Sequence, residues 1–263
     1  MRRTLWVGLL VCLATRVDAQ SFAGAAPAGS ERAALGLLED AQPAVSHALC
    51  LSAAQTRWWG LAELETRALA LAFGIRSLRV AAGVSQTGTP ELGYTAVGFA
   101  TGVASPTAGA GVRVATSSDR DAEWTALRAT SHVASYEAGA GAWLAPAELV
   151  RVWVSAPQWI THGAPPVLAR TLEVGVRAGD GNAIWCALRA PRSGDDGERS
   201  LGGALALDSF QVWLELRDAP LRSAAGLGLA WRGLELSVRL DSHPVLGETV
   251  RTGVSWAIGR GAR

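Results

Sequence analysis

Lysine is absent from this sequence, and charge of either sign is scarce. All 24 basic residues are arginine, and charged residues make up only 18% of the 263 residues, against 49% hydrophobic residues. Soluble proteins of this length usually carry more charge. The formal net charge of +1 provides no electrostatic basis for binding a nucleic acid, so we expect no nucleic-acid partner.

Motifs for metals, cofactors and catalysis are also missing. The three cysteines and four histidines show neither Cys-x-x-Cys nor His-Glu-x-x-His spacing. No Gly-x-Ser-x-Gly motif occurs, and Gly109-Ala110-Gly111 precedes no predicted helix. We therefore expect no cofactor, no metal and no enzymatic activity. A membrane-bound hydrolase using Ser131 and His132 is the remaining enzymatic alternative. Cys50 and Cys186 are far apart in the sequence, and whether they pair is left open.

A hydrophobic run long enough to span a membrane as a helix is lacking as well. The run from Leu5 to Ala14 is too short for roughly 30 Å of hydrocarbon. It follows Arg2 and Arg3 and precedes Val17-Asp18-Ala19, which is typical of a cleavable signal peptide over residues 1–19. The uncharged stretch 92–112 is interrupted by glycine and proline and indicates a hairpin.

From residue 64 to residue 258, hydrophobic and polar residues alternate with period two. In residues 210–217, for example, Phe, Val, Leu and Leu alternate with Gln, Trp, Glu and Arg. This period is typical of strands, because successive side chains point to opposite faces. Many of the runs have nine to eleven residues, enough to cross a bilayer at a tilt. The alternation favours an all-β, antiparallel, up-and-down transmembrane barrel of about 12 strands, with a range of 10–14.

Residues 20–63 differ from the barrel region. Residues 30–39 have the pattern of a short helix with Ser30 as its N-cap, and an irregular stretch follows up to Trp58-Trp59-Gly60. We expect a short N-terminal helical and irregular segment that can enter the barrel as a plug. Residues 259–263 are expected to form a short tail.

The charged residues recur on the polar face of the predicted strands, which we expect to be the lumen. A soluble β-protein that binds glycans through its tryptophans is the alternative, because alternation alone does not show which face points inward. The residues expected to face the lumen are Arg79, Arg113, Arg151, Glu173, Arg177, Glu215, Arg217, Glu235, Arg239 and Arg251.

The 11 tryptophans fall into two predicted groups. Trp58, Trp59, Trp143 and Trp159 lie near predicted strand ends, where membrane proteins place interfacial aromatic residues. Trp153 and Trp213 share a face with charged residues, and we expect both side chains to fill the lumen.

The last predicted strand resembles the C-terminal assembly signal of bacterial outer-membrane barrels. Arg251, Gly253, Trp256 and Ile258 fit the pattern polar-x-Gly-x-x-hydrophobic-x-hydrophobic. The resemblance implies that this strand is recognised by the barrel assembly machinery.

Three stretches resemble the PorV/PorQ-type outer-membrane proteins, which are relatives of the FadL-like barrels. They are residues 29–36, similar to the family's "ARALG" segment, the glycine-punctuated hairpins of residues 61–113, and residues 242–249, similar to the family's "HPxLGxTH" turn. The resemblance implies a non-enzymatic pore, transporter or secretion scaffold in the outer membrane of a Gram-negative bacterium. The implied partners are outer-membrane lipid and a small hydrophobic solute or a secretion partner.

Overall fold

The computed structural model is a closed antiparallel β-barrel. It describes residues 37–39, 41–42, 49–89, 93–119, 134–162, 171–179, 182–191, 197–218 and 221–258. Within this part of the chain there are fourteen strands, at the upper end of the predicted range. They are β1 (Leu49–Arg57), β2 (Glu65–Ile75), β3 (Leu78–Gly88), β4 (Gly93–Ala104), β5 (Ala108–Asp119), β6 (Ala134–Ala147), β7 (Val150–His162), β8 (Thr171–Ala178), β9 (Ala183–Pro191), β10 (Glu198–Leu207), β11 (Phe210–Asp218), β12 (Leu221–Trp231), β13 (Leu234–His243) and β14 (Gly247–Ile258).

The strand order follows the chain, which confirms the predicted up-and-down topology. Each strand pairs with the next, and β1 pairs with β14 to close the sheet. The closing pair runs from Leu49 opposite Ile258 to Arg57 opposite Val250. Because the sheet is closed, none of the fourteen described strands is an edge strand, as a hydrocarbon environment requires.

Hydrophobic side chains cover the outside of the barrel. On β2, Leu69, Leu71, Phe73 and Ile75 point outward and are 41–62% exposed, and the residues between them are small and face the interior. The same alternation continues on other strands, for example on β11 and β13. A soluble β-protein would bury these apolar rows in a core, so the soluble alternative is not supported. The fold is that of a transmembrane β-barrel.

The two ends of the barrel differ in the length of their connections. At one end, turns such as 76–77, 148–149, 208–209 and 232–233 have two residues each. At the other end, the connections 58–64, 120–133 and 163–170 are longer. We refer to these as the short-turn end and the long-loop end. In outer-membrane barrels, short turns face the periplasm and long loops face outward.

Exposed aromatic side chains lie near both ends of the apolar band. Phe210, Trp231 and Trp256 lie near the short-turn end, whereas Tyr136 and Trp159 lie near the long-loop end. Aromatic residues at these levels match the girdles that membrane barrels place at the two interfaces. Trp58 and Trp59 form a short 3₁₀ turn directly after β1.

The first strand lies inside the stretch that the sequence assigned to an irregular segment. Residues 49–57 form β1 rather than a continuation of residues 20–63, so the barrel begins at Leu49 and not at residue 64. The alternation is weak here because β1 carries small residues on both faces, with Ala53 outward and Ser52 and Ala54 inward. The hydrophobic contrast that reveals the other strands is therefore missing.

Candidate functional site: the barrel lumen

One side of the lumen is lined by small residues. The inward positions of β1–β5 are mostly alanine, glycine and serine, and many of them are buried. We call this surface the small-residue wall. Its members include Ser52, Ala68, Ala70, Ala81, Gly83, Ser85, Ala96, Gly98, Ala100, Gly111 and Ala115.

The N-terminal segment packs against this wall. Residues 37–39 are helical, and Leu37 and Leu38 form a buried cluster with Cys50 and the alanines of β2–β5. Leu38 is completely buried. A Cβ atom on Gly83 would lie 2.7 Å from Leu38 Cδ1, and one on Gly111 would lie 2.5 Å from the Ala41 carbonyl oxygen. The small side chains therefore provide the space that the segment occupies.

The next residue of the segment, Glu39, interacts electrostatically with Arg239 and Arg251, which lie on the inner faces of β13 and β14. Because β14 pairs with β1, this charged surface adjoins the small-residue wall. Leu38 and Glu39 therefore lie where the two surfaces meet, and they occupy part of the lumen.

The remaining inner surface, formed by β5–β14 with Arg79 of β3, is rich in charge. Among the described strand residues, nine arginines and six carboxylates point inward. The arginines are Arg79, Arg113, Arg151, Arg177, Arg189, Arg217, Arg222, Arg239 and Arg251, and the carboxylates are Glu137, Glu173, Glu198, Glu215, Glu235 and Asp241.

A continuous chain of ion pairs crosses this surface from β8 to β13. Arg189 contacts Glu173 at 2.6 Å and Glu198 at 3.9 Å. Arg217 then joins Glu198 at 3.8 Å to Glu215 at 3.0 Å, and Arg239 joins Glu215 at 3.3 Å to Asp241 at 2.5 Å. Arg222 also pairs with Glu198. Arg189, Arg217 and Arg239 each contact two carboxylates, which restricts the positions of these charges.

A separate buried pair lies where β5, β6 and β7 meet. Arg113 and Glu137 form an ion pair in which both side chains are almost fully buried. Arg113 Nη1 also donates to the Pro157 carbonyl oxygen at 2.6 Å, and Gln158 Nε2 donates to Glu137 at 2.9 Å. The β6–β7 pairing is irregular near Ala138, and this irregularity presents the Pro157 carbonyl to the guanidinium.

Four inward tryptophans lie flat against glycines on neighbouring strands. Each is directly opposite its glycine in the strand register: Trp143 and Gly109, Trp153 and Gly175, Trp185 and Gly202, and Trp213 and Gly226. In each pair a Cβ atom on the glycine would overlap the indole ring. Glycine is therefore required at these four positions for the indole rings to lie against the neighbouring strands.

Arginine side chains cover two of these rings. The Arg151 guanidinium carbon lies 4.3 Å from the ring centroid of Trp143, and that of Arg239 lies 4.8 Å from Trp213. Trp153 Nε1 donates to Glu173 at 3.0 Å. Trp143 therefore faces the lumen, and its predicted place in an interfacial belt is wrong. Trp143 lies opposite Gly109 in the strand register and points inward with it. The alternation of residues near the end of the strand did not reveal this orientation.

All ten residues that the sequence predicted to face the lumen occupy inward-pointing positions on their strands. The structure joins Glu173, Glu215, Arg217 and Arg239 in the ion-pair chain, whereas Arg79 donates instead to the carbonyl oxygens of Arg76 and Leu78 near the short-turn end. Glu137, Glu198, Arg222 and Asp241 also point inward but were not predicted to do so. Glu137 lies between Tyr136 and Ala138 and Asp241 follows Leu240, which is the alternation that could have identified them, whereas Glu198 lies between Gly197 and Arg199 and gives no such signal.

The residues of the predicted assembly signal divide between the two faces of β14. Arg251 and Gly253 point inward, and Trp256 and Ile258 point outward. The turn before this strand is held by His243, whose Nδ1 accepts hydrogen bonds from the amides of Val245 and Leu246 at 3.2 and 3.1 Å. This histidine therefore has a structural role in the turn.

The two cysteines that follow the predicted signal peptide are free thiols. Cys50 points inward against Leu37 and Leu38, and Cys186 points outward on β9, so they cannot form a disulfide in this fold. Ser131 and His132 lie outside the described residues. Within the described ranges, no group of three or more His, Cys, Asp or Glu residues is arranged to hold a metal. No helix in the same part of the chain has the length and hydrophobicity to cross a bilayer.

No protein-family model matches the chain, and no curated protein matches it significantly. Among solved structures, it is similar to the outer membrane protein Omp33 of Acinetobacter baumannii, with 8% identity and a TM-score of 0.51, covering 81% of this chain and 99% of that one. A triple mutant of the porin of Rhodopseudomonas blastica matches with 10% identity and a TM-score of 0.43, covering 81% and 99%. The similarity to Omp33 shows that the chain shares the fold of an outer-membrane barrel.

Proposed function

We propose that this protein is a non-enzymatic pore in the outer membrane of a Gram-negative bacterium, occluded by its own N-terminal segment and conducting small anions when the segment moves. The observation that carries the proposal is the position of residues 37–39 and 41. Leu38 is buried on the small-residue wall, and Glu39 interacts with Arg239 and Arg251 on the charged surface. Without this segment, a barrel of fourteen strands is wide enough to admit water.

The charge of the inner surface determines what such a pore conducts. Nine inward arginines exceed six inward carboxylates among the described strand residues, and removal of Glu39 with the segment increases the positive excess. Rings or patches of arginine favour anions in a pore. The proposed solutes are therefore small anions.

Deletion of the segment tests the occlusion. Removing residues 21–45 from the mature chain leaves β1 intact, because β1 begins at Leu49. We expect the full-length protein to conduct poorly in planar bilayers and the deletion variant to form larger, stable channels. Large and stable channels in the full-length protein would show that the segment does not occlude the lumen.

Cys50 provides a second, independent measurement. Its side chain is buried beneath Leu37 and Leu38, so a charged, water-soluble thiol reagent should label it slowly in the full-length protein and rapidly after the deletion. The experiment uses a Cys186→Ser background, because Cys186 is exposed on the outer surface. Equal labelling rates in both proteins would show that the N-terminal segment does not cover Cys50.

A second candidate function is the transport of a small apolar solute, as the resemblance to the PorV/FadL-type barrels implies. The small-residue wall favours it, because displacement of Leu37 and Leu38 would leave an apolar strip inside the lumen. A fluorescent fatty acid should then bind the deletion variant, and Gly83→Leu, which fills the strip, should abolish that binding. Absence of binding to the deletion variant would exclude this candidate.

We also propose that the outward side chains of β14 bind the barrel assembly machinery. Trp256 and Ile258 present an exposed apolar surface at the end of the last strand. Trp256→Ala should lower the yield of assembled barrel in cells while leaving refolding into detergent unchanged. Equal losses in both settings would indicate a role in stability alone.

A further inference from the structure

A groove on the outer surface of the barrel lies across β14, β1, β2 and β3. It has a volume of about 660 Å³, and most of its lining residues point outward, although the inward residues Ala54, Ala68 and Gly253 also border it. Its position results from Ala53, a small residue between the larger side chains of Leu69 and Val254 on the adjacent strands. The volume is within the roughly 300–1,000 Å³ typical of ligand pockets.

The groove is apolar toward the short-turn end and polar toward the long-loop end. Leu69, Val84 and Val254 form the apolar part. Gln55, Arg67 and Gln86 stand side by side in the strand register and form the polar part. An amphipathic molecule with one headgroup and a hydrocarbon chain matches this order of surfaces.

The charge of Arg67 indicates which class of headgroup the polar part of the groove can bind. Its side chain is 75% exposed and lies two residues from the long-loop end of β2. Its Nε donates to Glu65 Oε1 at 2.6 Å, and Glu65 also contacts Arg57 at 3.7 Å. This cluster has two guanidinium groups and one carboxylate, so it carries one net positive charge.

Because Glu65 balances only one of the two guanidinium groups, the excess positive charge favours a further anionic partner at this level of a membrane barrel. The cost of a lipid-facing arginine falls from about 2–4 kcal/mol at the bilayer centre to about 0–1 kcal/mol at the interface, where the side chain can reach headgroups. Phosphate is the headgroup anion that a guanidinium binds in a bidentate manner. The adjacent Gln86 amide can donate further hydrogen bonds to phosphate oxygens, whereas the Gln55 side chain is hydrogen-bonded to Glu65.

We propose that this groove binds an anionic lipid, with its phosphate at Arg67 and an acyl chain along Leu69, Val84 and Val254. Arg199 provides the contrast. It is also an outward arginine with an 80% exposed side chain, and it also has a carboxylate neighbour, Asp218 at 3.8 Å, but it lines no part of the groove. The proposed site is therefore specific to the β14–β3 side of the barrel.

Native mass spectrometry of the delipidated full-length barrel in detergent tests the proposal. Phosphatidylglycerol and phosphatidylcholine with identical acyl chains are the probes. We expect retained phosphatidylglycerol, weaker retention of phosphatidylcholine, and a loss of about fivefold in phosphatidylglycerol affinity for Arg67→Gln, since one arginine near an anionic surface contributes about 1 kcal/mol. Arg199→Gln should bind as the wild type does.

Filling the groove gives a second, charge-independent test. Ala53→Leu should also weaken phosphatidylglycerol binding, and the control Ala225→Leu, on the outward face of β12, should not. Heat-modifiable mobility on gels verifies that each variant is folded. Equal binding of the two lipids, or unchanged binding by both Arg67→Gln and Ala53→Leu, would overturn the proposal. Competition by inorganic phosphate alone, or a dimer that Ala53→Leu dissociates, would overturn it in favour of a free anion or a second copy of the chain.

Discussion

The tryptophan and glycine pairs of the lumen show how single residues fix the inner surface. An indole can lie flat on the inner surface of the barrel only where the opposite residue has no Cβ atom. The flat ring then provides a surface for a guanidinium. Trp213 illustrates this, because Gly226 lies behind its ring and Arg239 lies over it. The stacking holds the arginine in one place at a small cost in conformational freedom.

Gly226→Ala should disturb this arrangement. The new methyl group would overlap the Trp213 ring, so the indole must move and Arg239 loses its stacking partner. We expect a loss of roughly 1–3 kcal/mol in the free energy of unfolding, as for other overpacked sites. Gly228→Ala is the matched control on the same strand and face, because its Cβ would meet its nearest neighbour at 3.7 Å. Urea unfolding followed by tryptophan fluorescence measures both, and equal stabilities would contradict the proposed role of Gly226.

The buried pair of Arg113 and Glu137 should behave as a unit. Replacing either one with leucine leaves a buried charge without its partner, which costs about 3–5 kcal/mol. The double replacement should cost clearly less than the two single losses together, because no isolated charge remains. Unfolding measurements on the four proteins of this cycle give the coupling energy. Strict additivity would show that the two side chains do not stabilise each other.

At the scale of the strand, the alternation separates lipid from lumen. Val238 lies in the middle of β13 on the outer face, and Ser237 is its inward neighbour. Val238→Arg should cost about 2–4 kcal/mol, because it places a charge toward the bilayer centre. Ser237→Arg should cost less, because the lumen already contains charged and polar groups. Unfolding from phospholipid vesicles compares the two, and a reversed order would invert the assigned faces.

The same alternation explains which elements the sequence could predict. Strands such as β11 and β13 have large apolar residues on one face and charged residues on the other, so their bounds and their inward residues can be read directly. β1 was missed because Ser52, Ala53 and Ala54 provide no contrast between its faces. On the inner face, Ala54 packs against the cluster of Leu37, Leu38 and Cys50, which is a contact between distant parts of the chain. Such a contact leaves no periodic signal.

The partners of the inward charges could likewise not be predicted from the sequence. Alternation predicts that Arg113 points inward, but its pairing with Glu137 and the Pro157 carbonyl depends on the register and irregularity of β6 and β7. The ion-pair chain from Glu173 to Asp241 depends in the same way on the relative shift of six strands.

At the scale of the whole molecule, the barrel separates two kinds of charged surface. Inward arginines exceed inward carboxylates in the described strands, and the outward ion pairs of the described strands lie near the long-loop end. In our proposals the first set acts on solutes in the lumen and the second set acts on lipid. Substitutions of either set should therefore affect one property and leave the other unchanged.

Ion selectivity of the variant lacking residues 21–45 tests this separation. Its reversal potential in a potassium chloride gradient should indicate a preference for chloride, and Arg217→Gln in the same background should reduce it, because Glu198 and Glu215 then lose the guanidinium between them. Arg199→Gln, on the outer surface, should leave the reversal potential unchanged. The preference should also decline between 0.1 M and 1 M salt, as the screening length falls from about 10 Å to about 3 Å. A cation-selective pore, or an equal response to both arginine substitutions, would show that the inward charges do not govern conduction.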